Sequence, residues 1–130
     1  MRQYYYYDIE ELEDNQIFVF GSNLAGRHGK GAALIAKHKF GAEHYAGRGF
    51  TGKCYALPTK DIHLRTLPLD RVESEIEQFK VIARENPELE FLVTRVGCGL
   101  AGFSDEVIAP LFKDAPSNCV FNFEWMEYLD

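Results

Sequence analysis

The stretch IFVFGSNLAGRHGKGAALIAKHKFG, residues 17–41, decides the fold. Its first four residues form an apolar run with the length and residue types of a buried strand. Glycines then interrupt the pattern, and residues 32–40 follow with good helix formers. Gly41 comes where a left-handed residue would close that helix. The stretch therefore predicts a strand, a glycine-rich loop and a helix, in that order.

The same arrangement is predicted a second time, nearer the carboxyl end of the chain. Residues 91–96, FLVTRV, are rich in strand formers and break at Gly97. A second glycine-rich loop follows. After it we expect a helix that Ser104 caps and that Pro110 kinks or shortens, because proline has no amide proton.

The clearest helix of the sequence lies between these two units, at residues 71–86. Asp70 with Glu73 is typical of a capping box at its start. Its apolar residues recur at helical spacing on one face, and these are Val72, Ile76, Phe79 and Ala83. Before it, residues 47–52 predict an irregular loop, and residues 54–57 predict a strand that Pro58 ends.

Two further strands are predicted at residues 4–7 and 119–123. Strands that alternate with helices indicate an α/β fold with a mostly parallel sheet, since parallel neighbours need crossover connections of this length. We expect the sheet to be mixed at one edge and flanked by helices. A chain of 130 residues has the usual size of one domain, so residues 1–130 are predicted to form a single domain.

The charge is distributed unevenly along the chain. The net charge of -6 disfavours direct binding to polymeric nucleic acid or to an anionic membrane, which draws on many basic contacts. Residues 21–65, however, contain eight basic and two acidic residues, a net charge of +6, which leaves -12 for the rest. A small anionic ligand could be held by this basic part. The alternative is that these are ordinary solvated charges.

The sequence also bears on the compartment. Residues 1–7 have no apolar stretch typical of a secretory signal, and no apolar run approaches the roughly 20 residues that span a bilayer. We therefore expect a cytoplasmic protein without a membrane segment. Cys54, Cys98 and Cys119 are odd in number and widely spaced, so they predict reduced, mostly buried thiols and neither disulfides nor a zinc site.

The two glycine-rich loops, residues 21–34 and 97–104, are the candidate ligand site. Each follows a predicted strand and precedes a predicted helix, the position at which open α/β sheets bind ligands. Glycine lets backbone N–H groups approach phosphate oxygens, and a helix N-terminus adds unpaired donors. The candidate ligand-binding residues are Gly21, Ser22, Asn23, Arg27, Gly29, Lys30, Gly31, Ala32, Gly97, Cys98, Gly99, Leu100, Ala101, Gly102 and Phe103.

Several other sites are disfavoured. Arg27 and His28 stand where a phosphate-binding loop of nucleotide triphosphatases would have lysine and serine or threonine, and the glycine spacing does not match GxGxxG. Cys98 sits at a helix start but has no adjacent base, so packing is the better interpretation. The four histidines lack the spacing of metal ligands, and no metal site is predicted. Among the aromatic residues, Phe103 is the best candidate to stack on a base or ribose.

The segments FGSNLAGRHGKGAA, residues 20–33, and LVTRVGCGLAGF, residues 92–103, resemble the macro domain, more closely its small phage and bacterial branch. The resemblance implies a three-layer macro-domain-like fold and ADP-ribose, or a related NAD-derived molecule, as ligand. It places Asn23 near the proximal ribose, and the two loops around the diphosphate.

Two departures from the macro-domain pattern matter for mechanism. Ala101 stands where the family usually has an aromatic residue, and no acid lies between Lys30 and Ala33. Asp8 and Asp14 are the candidates for the acid that commonly recognises adenine in the family. These departures weaken the case for hydrolysis more than the case for diphosphate binding.

Three hypotheses remain open on sequence alone. The first is a module that binds ADP-ribose or a related nucleotide, free or attached to a macromolecule, without any cofactor. The second is a hydrolase of ADP-ribosyl bonds or ADP-ribose phosphate esters, in which Asn23 orients water or ribose and His28 is the candidate base. The third is a phage structural or host-interaction protein whose loops bind no ligand.

Overall fold

The computed structural model describes residues 2–130. Within these residues the chain forms six strands and four α-helices. In chain order they are β1 (Gln3–Tyr5), β2 (Gln16–Asn23), α1 (Gly31–Phe40), β3 (Gly49–Thr51), β4 (Cys54–Lys60), α2 (Leu69–Glu85), β5 (Glu90–Val93), α3 (Asp105–Ile108), β6 (Cys119–Asn122) and α4 (Met126–Leu129).

The strands form one sheet in the order β1-β6-β5-β2-β4-β3. All neighbours pair in parallel except β3, which runs antiparallel to β4 at one edge. Strand β2 lies between β5 and β4, with Val19 opposite Val93 on one side and Tyr55 on the other. The predicted α/β fold with a mostly parallel sheet, mixed at one edge, is confirmed.

Each face of the sheet is covered by a hydrophobic layer. Side chains alternate between the two faces of a strand, so Val19 of β2 joins the cluster around α2 and Phe20 joins the cluster around α1. The α2 cluster is the larger and includes Phe79, Phe91 and Trp125, all without exposed surface. Both faces of β2 are therefore buried, which explains its continuous apolar run.

The helices follow the sequence closely in two respects. Gly41 ends α1 in the left-handed conformation, φ 80°, and its N–H donates to the carbonyl of Ala36. The predicted apolar face of α2 is confirmed, since all four of its residues have 0% exposure. The capping box at Asp70 is wrong, because α2 begins at Leu69, after Pro68. Asp70 lies in the first turn, where a carboxylate favours the positive end of the helix dipole.

The prediction that Pro58 ends its strand is also wrong, because β4 continues to Lys60. Strand β3 begins at Gly49, opposite Ala56, and runs back along β4, so no β3 residue lies opposite Pro58. Proline is tolerated where one side of a strand is open. The longer β4 carries Thr59 and Lys60 to the carboxyl edge of the sheet.

Other boundaries differ by a few residues. The run at residues 91–96 forms a strand only to Val93, and the chain then turns, with the N–H of Val96 donating to Thr94. The loop predicted at residues 47–52 contains β3. Strands β1 and β6 are shorter than predicted, at Gln3–Tyr5 and Cys119–Asn122.

The region after the second loop forms only short helices. Ser104 occupies the predicted N-cap position, but its side chain makes no capping hydrogen bond. Helix α3 has four residues, and Pro110 lies in a 3₁₀ turn at Ala109–Phe112 that follows it. Pro110 thus shortens the α-helix, one of the two outcomes predicted for it.

The structure also bears on the predicted thiols and on the expected lack of a membrane segment. All three cysteines are free, with Cys54 and Cys119 buried and Cys98 half-buried. Within residues 2–130, no helix combines the length and the apolar character that crossing a membrane requires.

Gly52 gives a test of how tightly the turn before β4 packs on the end of α1. Its φ is +58°, and an added Cβ would lie 2.3 Å from the carbonyl oxygen of Gly41. Gly49 also has a positive φ, +84°, but a Cβ there would meet open space. We expect Gly52→Ala to lower the free energy of unfolding by about 3 kcal/mol and Gly49→Ala by about 1 kcal/mol.

Urea denaturation of both variants measures the difference. If both variants lose the same free energy of unfolding, the close approach between Gly52 and the end of α1 does not add to the cost of a side chain at residue 52.

Candidate ligand-binding cleft

The two glycine-rich loops border one cleft at the carboxyl edge of the sheet. Because β2 and β5 are parallel neighbours, the loops that follow them leave the sheet side by side. The cleft has a volume of about 770 Å³. Its lining residues are Gly21, Ser22, Asn23, Arg27, Gly29, Lys30, Gly31, Ala32, Ala33, Thr59, Lys60, Leu64, Thr94, Arg95, Val96, Gly97, Cys98, Gly99, Leu100 and Ala101.

Thirteen of the fifteen predicted ligand-binding residues therefore line this cleft, and two do not. The N–H of Gly102 donates to Gly99, and that of Phe103 donates to Gly97, so both close the turn of the second loop. The ring of Phe103 packs against Gly97 and the α2 cluster. Phe103 thus packs beneath the loop, a position that does not favour stacking on a ligand, and its predicted ligand contact stays a prediction.

The first loop presents backbone donors to the cleft. Helix α1 begins at Gly31, and its first N–H groups have no carbonyl one turn earlier to bond. Within residues 2–130, none of the N–H groups of residues 29–33 has a hydrogen-bond acceptor. Together with the helix dipole they form an arrangement that favours an anion.

The second loop also has unpaired backbone donors among its cleft-lining residues. The N–H of Cys98 is used by the carbonyl of Arg95, but those of residues 99–101 have no acceptor in the described part of the chain. Gly97 has φ +77°, a conformation that lets the chain reverse directly after the strand. The cleft is therefore bordered by two sets of unpaired backbone donors.

Asn23 lines the cleft, but its amide is largely used inside the first loop. Its Oδ1 accepts the N–H of Arg27 and its Nδ2 donates to the carbonyl of Arg27, both at 2.9 Å. One N–H and one lone pair remain for other partners. The first role of Asn23 is therefore to fix the shape of the loop.

His28 does not line the cleft. Its ring is 1% exposed and packs edge-on against Phe20, and Nε2 lies 2.8 Å from the carbonyl oxygen of Glu43. The ring faces the core side of the loop and not the cleft. This geometry does not favour the predicted catalytic role of His28, which stays a prediction.

Cys98 is held in a buried polar network behind the second loop. Burial, with a smaller contribution from Asp105, raises the pKa of its thiol to about 12, so the thiol stays protonated. Asp105 accepts hydrogen bonds from Arg95 and from Nε1 of Trp125. The hydrogen bond from Arg95 holds the pKa of the Asp105 carboxyl below its ordinary value of 3.8. The preference for a packing role of Cys98 agrees with this environment.

Sequence reasoning missed seven residues of the cleft lining: Ala33, Thr59, Lys60, Leu64, Thr94, Arg95 and Val96. Leu64 reaches the cleft from a tight turn in which Asp61 accepts the N–H groups of His63 and Arg65. Thr66 Oγ1 then donates to the carbonyl of Ala101 at 2.8 Å and connects this turn to the second loop. The one usable signal was the position of Thr59 and Lys60 shortly after the strand predicted at residues 54–57.

The electrostatics of the cleft favour an anion. Arg27, Lys30 and Lys60 line it without a carboxylate within 4.0 Å in the described chain, and no aspartate or glutamate is among the lining residues. Asp8 and Asp14, the candidates for adenine recognition, border a separate hollow of about 1170 Å³ beneath the N-terminal segment. That hollow has acidic walls, so it does not suit a phosphate.

Comparisons with known proteins identify the fold. The sequence matches no family model and no curated protein. The structure is similar to the macrodomain of Mycobacterium tuberculosis DarG, with a TM-score of 0.72 at 20% identity, covering 94% of this chain and 97% of that chain.

Two further solved structures agree. Thermosipho africanus DarTG in complex with ADP-ribose gives a TM-score of 0.61 at 16% identity, covering 84% of this chain and 38% of that chain. A Bacteroides thetaiotaomicron protein of unknown function gives a TM-score of 0.65 at 15% identity, covering 93% of this chain and 98% of that chain.

These likenesses define the class of the protein. The chain has the macrodomain fold, an α/β sheet flanked by helices, as the resemblance of its two loops implied. The small phage and bacterial branch stays a prediction.

Asp105→Asn tests whether the network behind the second loop contributes to stability. The variant keeps the shape but loses the charge that Arg95 and Trp125 contact, and we expect it to lower the free energy of unfolding by about 2 kcal/mol at pH 7. Because the pKa of Asp105 is lowered in the folded state, its carboxylate stabilises the fold fully at pH values above 3.8, the ordinary pKa. This stabilisation is lost as the pH falls through the lower pKa of the folded state.

The difference between wild type and Asp105→Asn should therefore shrink below about pH 4. Urea denaturation at pH 7 and at pH 3 measures it. A difference that is the same at both pH values would contradict the assigned charge interaction.

Proposed function

We propose that this chain binds ADP-ribose, or a related nucleotide derived from NAD, in the cleft between its two glycine-rich loops. The observation that carries the proposal is the pair of unpaired donor sets, residues 29–33 and 99–101, on two sides of one cleft. A diphosphate has acceptor oxygens on two adjacent phosphorus atoms, so it can be bonded by both sets at once. Backbone donors cost no side-chain ordering when they bind.

Charge and size support the same ligand class. The positive end of the α1 dipole and the side chains of Arg27, Lys30 and Lys60 favour a negative group, and no carboxylate opposes them in the lining. A volume of about 770 Å³ falls within the usual range for small-molecule and cofactor sites. The similar structure of Thermosipho africanus DarTG was solved in complex with ADP-ribose.

The cleft supports binding better than a purely structural role for the loops. Unpaired N–H groups in a concave site are costly unless water or a ligand occupies them, and here two sets converge on one place. Small residues at Gly99 and Ala101 leave the space open. Because the cleft opens to solvent, the nucleotide could be free or attached to a macromolecule.

Valine at either of two glycines tests the backbone contact. Gly29 and Gly99 lack a positive φ, and an added Cβ would meet no atom within 4 Å at either position. We therefore expect Gly29→Val and Gly99→Val to fold normally while their side chains displace the phosphates. Isothermal titration calorimetry should show affinity for ADP-ribose reduced at least about tenfold, or about 1.4 kcal/mol.

The control for this test is Ser117→Val, an exposed turn residue before β6, at the amino end of the strands. It should bind like wild type. No heat from wild type with ADP-ribose, ADP or NAD at millimolar concentration would refute the proposal, and unchanged affinity in both glycine variants would refute the assignment of the loops.

Hydrolysis of an ADP-ribosyl bond is the second candidate, and one observation favours it. Lys60 lies in the cleft lining at the end of β4 without a carboxylate partner in the described chain, and a lysine amine can act as a nucleophile or base. If the chain is a hydrolase, Lys60→Gln should lower turnover by about a hundredfold or more.

Release of ADP-ribose from ADP-ribosylated protein and from ADP-ribosylated DNA measures this activity. Lys30→Gln is the matched control, since it removes one charge from the same cleft and should weaken binding without comparable loss of turnover. Equal turnover by wild type and Lys60→Gln would exclude Lys60 from the chemistry. Absence of turnover in wild type, with ADP-ribose still bound, would leave the protein a binding module.

A further inference from the structure

His28 is a buried histidine with one ring nitrogen unused. Nε2 lies 2.8 Å from the carbonyl oxygen of Glu43. Because a carbonyl can only accept, Nε2 must carry the proton and Nδ1 is a bare lone pair. Nδ1 is buried and has no hydrogen-bond partner within residues 2–130. The ring is therefore neutral in this arrangement, and a proton added to Nδ1 would have no hydrogen-bond acceptor within residues 2–130.

The place of His28 in the chain makes this arrangement significant. The residue before it, Arg27, is held on both backbone groups by Asn23, and the donors of residues 29–33 follow directly. The His28 ring is thus the last side chain that fixes the first loop before its phosphate-binding part. It packs at nearly right angles against Phe20 of β2, with ring centroids 5.3 Å apart.

The partner of His28 is residues 43–47, which we call the supporting segment. It contacts the first loop at two further points, where the N–H of Tyr45 donates to Gly26 at 2.7 Å and Ser22 Oγ donates to Gly47. A Cβ on Gly26 would lie 2.2 Å from the backbone of Tyr45, so the two segments are in direct backbone contact. The first loop therefore rests on the supporting segment, and His28 is the contact that directly precedes the donors of residues 29–33 in the chain.

We propose that His28 is the positioning residue of the first glycine-rich loop, and that its protonation releases the loop and weakens ligand binding at acidic pH. This inference rests on the proposed function of the cleft. It assigns no contact with the ligand to His28. The neutral ring holds residues 29–33 in place from the side of the loop that faces away from the cleft.

The groups that face the ring make a second proton unfavourable. Lys37 of α1 and His44 of the supporting segment are cationic or can become so, Phe20 has no charge, and Glu43 and Ala46 offer backbone atoms. Burial is the largest cause that lowers the pKa of His28 below its ordinary value of 6.5, and His44 and Lys37 lower it further. The backbone groups of Glu43 and Ala46 act in the opposite direction, but the pKa stays lowered.

The sign of the pH effect follows from this lowered pKa. The unfolded chain, or a released loop, binds a proton more readily than the packed ring does. The stabilising effect of the neutral ring is complete above about pH 6.5 and is lost as the pH falls from there to the lower folded pKa. Binding that needs the fixed loop should decline in the same direction.

The experiment measures the affinity for ADP-ribose by calorimetry between pH 8 and pH 5, in wild type, His28→Gln and His38→Gln. The glutamine introduced by His28→Gln can keep a donor to Glu43 but cannot be protonated, while His38 is exposed on α1 and serves as the control. When nine-tenths of His28 is protonated, only one-tenth of the protein keeps the fixed loop. We therefore expect wild type and His38→Gln to bind ADP-ribose about tenfold more weakly there than at pH 8. His28→Gln should bind within about threefold of wild type at pH 7.5, with a flat profile.

A pH titration of wild type by nuclear magnetic resonance gives a readout that needs no variant and no ligand. The amide signals of Gly29 and Gly31 should shift with the same midpoint as the His28 ring. The inference would be overturned if the affinity of wild type did not change with pH, or if that of His28→Gln did. It would also be overturned if the amide signals of Gly29 and Gly31 did not shift with the midpoint of the His28 ring. Failure of wild type to bind ADP-ribose at pH 7.5 would instead refute the proposed function, and the amide titration would still test the role of His28.

Discussion

The parallel pairing of β2 with β5 is the constraint on which the rest of the structure depends. Val19 lies opposite Val93 in this pair, and both strands end at the same edge of the sheet. Because the two faces of β2 pack into different clusters, a one-residue slip would exchange side chains such as Val19 and Phe20 between them and disrupt the packing of both. The two glycine-rich loops leave from these two strand ends, so the core packing of residues 17–20 also sets the distance between the two sets of backbone donors.

A site built from backbone donors makes few demands on side-chain identity. The donors of residues 29–33 and 99–101 need an open approach and a fixed chain path, which small residues provide. This helps explain how a chain only 20% identical to the DarG macrodomain keeps the same fold and two recognisable loops. Side chains at the cleft, such as Lys60, Leu64 and Ala101, are then free to differ and to set what else the cleft recognises.

The sequence predicted those features that depend on local patterns. The loops, the cap at Gly41 and the apolar face of α2 follow from spacing and residue type within short windows, and the structure has each of them. The features that were missed depend on distant neighbours. Lys60 reaches the cleft because β4 continues beyond Pro58 beside β2, as far as Lys60. Likewise, nothing local to His28 or Phe103 tells which side of its loop the ring will occupy.

The rings of His28 and Phe103, which do not line the cleft, also show how its loops are supported. Because the N–H groups of residues 29–33 and 99–101 make no hydrogen bonds within the described chain, other groups must hold these loops. For the first loop this is the ring of His28, helped from within the cleft by the amide of Asn23, and for the second they are Phe103, the hydroxyl of Thr66 and the Asp105 network. Each of these groups contacts a loop backbone or a neighbouring side chain. In such a site, residues that hold the loops from behind can decide affinity as strongly as those that border the cleft.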